Sequence, residues 1–138
     1  MAAKGQMTGM LGTYLAAAEL TNKGLIVSVT SRSAKGADLL ATDQSCEKAW
    51  SIQVKTNRKA AGFWLLSAGY EVIASASHIY IFINLLGDKR PDYYIVPSNQ
   101  VAKYGRKSKA STGSVWYEFH REDAEKYKER WTIFGGSP

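Results

Sequence analysis

Apolar and polar positions alternate along this chain with two different periods, and the change of period predicts where helices give way to strands. From Thr8 to Asn22 alanine and leucine dominate, Met7, Leu11, Leu15 and Ala18 fall near helical spacing, and Lys23-Gly24 supplies a stop, so the first element is a helix. "LIVSVT" (25–30) and "ADLLAT" (37–42) are β-branched or apolar runs separated by the flexible, basic "SRSAKG", and they read as two paired strands. "AWSIQVKT" (49–56) is a third strand, sending Trp50, Ile52 and Val54 to one face and Ser51, Gln53 and Lys55 to the other. Further on, "HIYIFINLL" (78–86) and "DYYIVPS" (92–98) form two strands joined by "GDKRP", and Pro97-Ser98 caps a short helix at "NQVAKY". "NRKAAGFWLLSAGYEV" shows no clear period and is assigned no element. "GRKSKASTGS" is read as a basic loop and "REDAEKYKER" as a short charged helix. A helix, several strands, a helix and a last helix, without repeat or linker, predict an α/β or α+β fold with a mixed central sheet in one domain spanning 1–138.

The third strand raises a question that the core does not answer: why do Gln53 and Lys55 interrupt an apolar run? Both leave the same strand face about 7 Å apart along the chain. If the preceding strand is antiparallel, Asp38 near its start lies opposite them. An acid, an amide oxygen and an ammonium then converge. Mg²⁺ prefers oxygen ligands, commonly one or two carboxylates completed by water and substrate phosphate. Asp38, the Gln53 amide oxygen and the Val54 carbonyl are candidate ligands, and Lys55 is a candidate holder of phosphate or hydroxide. That donor set points to phosphodiester hydrolysis. The alternative is an ordinary half-solvated sheet face carrying Ser, Gln and Lys.

Charge shifts the balance. Of 138 residues, 18 are Lys or Arg and 12 are Asp or Glu, a net +6 that favours encounters with polyanions, nucleic acid first among them, although solubility alone also accounts for such a charge. Basic residues flank the candidate site at Arg32, Lys35, Arg58 and Lys59 and gather again at Lys103, Arg106, Lys107 and Lys109, as phosphate contacts or as solvated loops. A single cysteine and two distant histidines, His78 and His120, do not supply a tetrahedral zinc site, and the lone Cys46 fits a reducing compartment. Glu71 and His78 break the apolar stretch from Phe63 to Leu86, so no membrane span is expected. The expected setting is the cytoplasm. Trp64 and Trp116 are the two aromatic residues whose surroundings suggest base stacking; the others read as core. A Ser-His triad and a P-loop both lack their sequence frames.

Taken together, "GTYLAAAELTNKGLIV", the "GAD" carrying Asp38, and "IQVKT" resemble the PD-(D/E)XK nuclease superfamily, which includes restriction endonucleases and archaeal Holliday-junction resolvases, from about Gly12 to Pro97. "YIFINLL" and "YYIVPS" resemble the paired strands that follow in that superfamily. The resemblance implies a restriction-endonuclease-like α/β core with a mixed sheet flanked by helices, and a metal-dependent endonuclease acting on DNA ahead of RNA, including branched or structured DNA. It implies Mg²⁺ or Mn²⁺ as cofactor, and a domain this small would need two copies, a homodimer, to cut both strands of a duplex. Asp38 matches the motif aspartate and Lys55 the motif lysine, while Gln53 stands at the second motif position, where it departs from the family's acid; a comparable Gln-X-Lys occurs in the Mrr-type branch. Many members carry a glutamate on the first helix. The resolvase pattern would seat it at Thr13, and Glu19 is the acid this helix offers. The rival expectation is an inactive nuclease-fold module that binds nucleic acid or docks on a larger nucleic-acid-processing complex.

Overall fold

A computed structural model describes residues 4–31 and 36–135. Helix α1 (Lys4–Asn22) is followed by strands β1 (Ile26–Val29), β2 (Leu39–Thr42) and β3 (Ala49–Asn57). The alternation in β3 holds: Trp50, Ile52 and Val54 are buried while Ser51, Gln53 and Lys55 are partly exposed, as a strand between two unlike layers requires. β2 pairs antiparallel with both β1 and β3, and Leu39 lies opposite Ile52. This is the arrangement on which convergence of Asp38 and Gln53 depends.

The helix packs differently from its apolar spacing. Its buried stripe is Thr8, Gly12, Ala16 and Leu20, whereas Met7 and Leu11 are 50% and 43% exposed. Close approach is the reason. A Cβ on Gly12 would lie 1.7 Å from Oγ1 of Thr56, so small residues at four-residue spacing let the helix backbone settle on β3, and the larger side chains are pushed to the flanks.

Next come β4 (Phe63–Leu66), β5 (His78–Leu86), β6 (Lys89–Pro97), α2 (Ser98–Tyr104), β7 (Arg106–Lys109), β8 (Val115–His120) and α3 (Arg121–Ala124), with 3₁₀ turns at Glu125–Tyr127 and Trp131–Phe134. The central sheet runs β1-β2-β3-β5-β6, and its β3–β5 pair is parallel. A parallel pair needs a crossover, and here residues 58–77 make it. Within that crossover β4 joins β8 and β7 in a second, three-stranded sheet. The central sheet separates two apolar clusters. On one side Ala16 and Leu20 of α1 pack with Ile52, Ile79, Ile81, Ile83, Trp131 and Phe134. On the other, Trp64, Phe82, Tyr94, Val101 and Phe119 join the small sheet and α2 to it. β5 is covered on both faces, which explains its unbroken apolar sequence.

Four local expectations change. The segment assigned no element contains β4, whose Trp64 is 1% exposed and donates its indole N–H to the Ile83 carbonyl at 2.9 Å; it is a core residue, not a stacking platform. The basic stretch after Gly105 is a strand, β7, at the sheet edge, where Arg106, Lys107 and Lys109 discourage pairing with other chains. The β5–β6 turn is tighter than "GDKRP" suggests, because Leu86 already faces Lys89 and Gly87 takes φ +65°. Ser98 does not cap α2 with its side chain. Its hydroxyl instead accepts from Ser75 N–H and donates to the Ser75 carbonyl, both at 2.9 Å, pinning the end of the crossover.

Candidate active site

Asp38 sits one residue before β2, where its backbone N–H donates to the Ile52 carbonyl at 2.7 Å and so fixes the carboxylate beside β3. Oδ2 accepts the Val54 N–H at 2.8 Å and a Gln53 Nε2 hydrogen at 3.1 Å. Among the described residues Oδ1 accepts no hydrogen bond. The N–H and C=O of one strand residue point to the same edge, so the Val54 carbonyl also looks toward Asp38, just beyond the end of β2. Thus the acid, the amide and the Val54 backbone do meet. They line a cleft of about 360 Å³ between α1 and the strands, together with Thr13, Tyr14 and Thr30.

Lys55, two residues on, lies on the Gln53 face and donates from Nζ to Ser67 Oγ at 3.3 Å. Burial lowers its pKa from the usual lysine value, against the opposing pull of the Asp38 charge. A partly desolvated ammonium held by a neutral hydroxyl keeps its charge available for an anion. Ser67 was not legible in the sequence, because only the fold of the crossover brings it to Lys55.

Glu19 is elsewhere. It pairs with Arg90 of β6, which also bonds Glu129 at 2.9 and 3.1 Å. Thr13, by contrast, lines the Asp38 cleft. Of the basic candidates, Arg32 and Lys35 lie outside the described residues. Arg58 is exposed and donates to Thr8 Oγ1 at 3.3 Å, and Lys59 is exposed beside it. Arg106 is committed to Glu122 and to Asp123, the latter at 3.0 Å, whereas Lys107 is exposed on the same strand. Trp116 is 36% exposed, but its indole N–H donates to Glu118. His120 bonds the same carboxylate at 2.9 Å, and His78, buried at the start of β5, pairs through Nε2 with the Gly36 carbonyl.

The residues present fit a hard divalent cation sparingly. Among the described residues there is no group of three or more His, Cys, Asp or Glu side chains able to hold a metal. One carboxylate oxygen, one amide oxygen and one backbone carbonyl remain, an all-oxygen set of low charge. It suits an ion completed by water and substrate phosphate rather than caged by protein.

The fold is restriction-endonuclease-like. The chain is similar to the Holliday junction resolvase Hjc of Archaeoglobus fulgidus, an archaeal hyperthermophile, with a TM-score of 0.50 and 13% sequence identity over 82% of this chain and 91% of the resolvase. No protein-family model and no curated protein sequence matches the chain. In this chain the central mixed sheet carries α1 on one face and a small sheet with α2 on the other.

Proposed function

We propose that this protein is a divalent-metal-dependent endonuclease that hydrolyses phosphodiester bonds of DNA, with residues 1–138 acting as one nuclease domain. The observation that carries this reading is the meeting of Asp38, Gln53 and the Val54 backbone at one end of β2, with Lys55 on the adjoining face. Asp38 Oδ1, Gln53 Oε1 and the Val54 carbonyl would hold Mg²⁺ or Mn²⁺. For Gln53 this requires its amide to present oxygen rather than the hydrogen it now gives Asp38. When bound, the ion would supply Lewis acidity at the phosphate and lower the pKa of a water. Lys55 holds a non-bridging phosphate oxygen and stabilises the negative charge that builds there, in a setting dry enough to make that charge count. With the Gln53 amide turned, Asp38 keeps the Val54 N–H as its donor, which holds the carboxylate in place beside β3. Arg58, Lys59 and Lys107 remain exposed for contact with the phosphate backbone, and two copies of the chain would serve a duplex. The test is cleavage of duplex and four-way-junction DNA with Mg²⁺ or Mn²⁺ by the wild type, Asp38→Asn and Lys55→Met. Cutting by the wild type that both variants lose supports the reading, and undiminished cutting by either variant overturns it.

A second reading is favoured by the neutral amide at position 53 and by the engagement of Glu19 with Arg90. It is a non-catalytic module that keeps the fold and binds nucleic acid. Calorimetry with Mn²⁺ separates the two: the module shows salt-sensitive DNA binding with no saturable metal heat.

A further inference from the structure

On the side of β3 away from α1 lies a second cavity of about 380 Å³, lined by Lys55 and Gln53 of β3, Tyr80 of β5 and the crossover residues Ala68, Tyr70 and Ile73. Its floor is Tyr80, 6% exposed and stacked on Phe82 with ring centroids 5.3 Å apart. The parallel register places Tyr80 opposite Gln53, so the floor belongs to the same row as the candidate site. Tyr70 forms a wall. Its ring is seated against the backbone of Gly105, where a Cβ would come within 2.3 Å of it, and it packs 5.6 Å from the Tyr117 ring. Lys55 and Ser67 hold the rim, joined at 3.3 Å. At the mouth Val72 and Ile73 are 80% and 43% exposed, apolar side chains left in water beside an aromatic chamber.

A cavity with a cation at its rim and aromatic rings inside fits a ligand with an anionic end and a flat, weakly polar body. Its volume falls in the range of roughly 300–1,000 Å³ typical of small-ligand sites. Resting on the nuclease reading of Lys55, we infer that this chamber receives the base of the nucleotide whose phosphate Lys55 holds, with Tyr80 and Tyr70 as base-contacting residues. The consequence concerns substrate class. A base inside this chamber cannot remain stacked in a duplex, so the preferred DNA carries an unpaired or extrahelical nucleotide next to the scissile phosphate. Paired DNA must first expel a base, at a cost that a bulge or single-stranded junction has already met.

The test runs in EDTA, with no cleavage. A short duplex with one bulged nucleotide and its fully paired counterpart are titrated into wild type and Ala68→Trp, a substitution on an exposed loop that fills the chamber. The wild type should bind the bulged duplex about tenfold more tightly, and Ala68→Trp should erase the preference while keeping its affinity for the paired duplex. Independently, thymidine 5′-monophosphate should shift the amide resonances of Ala68, Gly69 and Tyr70 in wild-type protein. Equal wild-type affinity for the two duplexes, a preference that survives Ala68→Trp, or resonances that stay still would each overturn the inference. Metal binding and cutting with no bulge preference would sink the chamber alone. Bulge preference in a protein that neither binds Mn²⁺ nor cuts would sink the nuclease reading alone.

Discussion

The backbone N–H of Val54 donates to Oδ2 of Asp38 at 2.8 Å, so the acid proposed to hold a metal also replaces the β2 partner that β3 lacks at this point. Removing it therefore has two effects. Asp38→Ala leaves the Val54 N–H without its acceptor and should lower stability by about 1–3 kcal/mol. Asp38→Asn can keep a carbonyl oxygen toward Val54, and should lose cleavage by about 10²-fold or more with a much smaller change in melting temperature. Denaturant melts and cleavage rates on the two variants separate the roles.

Gln53 is neutral and gives a hydrogen to Asp38 at 3.1 Å. Gln53→Glu exchanges that donor for a second carboxylate facing the first. Without metal, at neutral pH, the variant should melt below wild type because like charges oppose each other; Mn²⁺ should raise its melting temperature more than that of wild type, since affinity for hard cations follows ligand charge. A metal-independent melting temperature in Gln53→Glu would count against a cation site at this position.

How much of this was legible in the sequence follows from reach along the chain. Residues Ala49 to Thr56 show their two faces in the sequence because strand alternation is local, and Asp38 could be placed opposite Gln53 because a short turn returns β2 against β3. The burial of Trp64, the strand character of β7 and the Lys55–Ser67 contact were not legible. Each depends on pairing with β8 or on the route of the crossover, which no local period records. Glu19 illustrates a subtler limit: helical geometry shows that it lies off the Thr13 face, but only the fold supplies Arg90 as its partner.

Burial lowers the Lys55 pKa from 10.5. Just below that value the unfolded chain therefore holds a proton that the folded chain has released, and stability must rise with pH through this window. Lys55→Met lacks the titrating group, so its stability advantage over wild type at neutral pH should shrink as pH approaches the ordinary lysine value. Urea melts across that range give the comparison. The catalytic rate should move the opposite way, falling on the alkaline side at a pH below 10.5 as the ammonium needed for phosphate is lost.

Gly12 and Gly9 share a helix but not an environment. Gly12→Ala forces a methyl to within 1.7 Å of Thr56 Oγ1 and should cost about 1–3 kcal/mol. Gly9 is exposed, and a methyl added there would meet nothing within 4 Å, so Gly9→Ala should stabilise by about 1 kcal/mol through helix propensity. Thermal melts on the pair test whether α1 is seated by the Gly12 contact.

Glu19→Gln should leave cleavage unchanged and reduce stability by about 1–3 kcal/mol, because Glu19 itself is only 16% exposed, while its half-exposed partner Arg90 keeps Glu129. Thr13→Glu, which adds a carboxylate to the Asp38 cleft, should increase Mn²⁺ affinity in calorimetry.

The two-faced order of β3 also governs which changes of length the chain can survive. Adding or deleting one residue between Trp50 and Lys55 would rotate the downstream side chains by half a turn, exposing Val54 and driving Lys55 into the layer beneath α1. Protein that had lost its polar arrangement this way would also fail to fold, so the interior acts as a proofreader of the working surface.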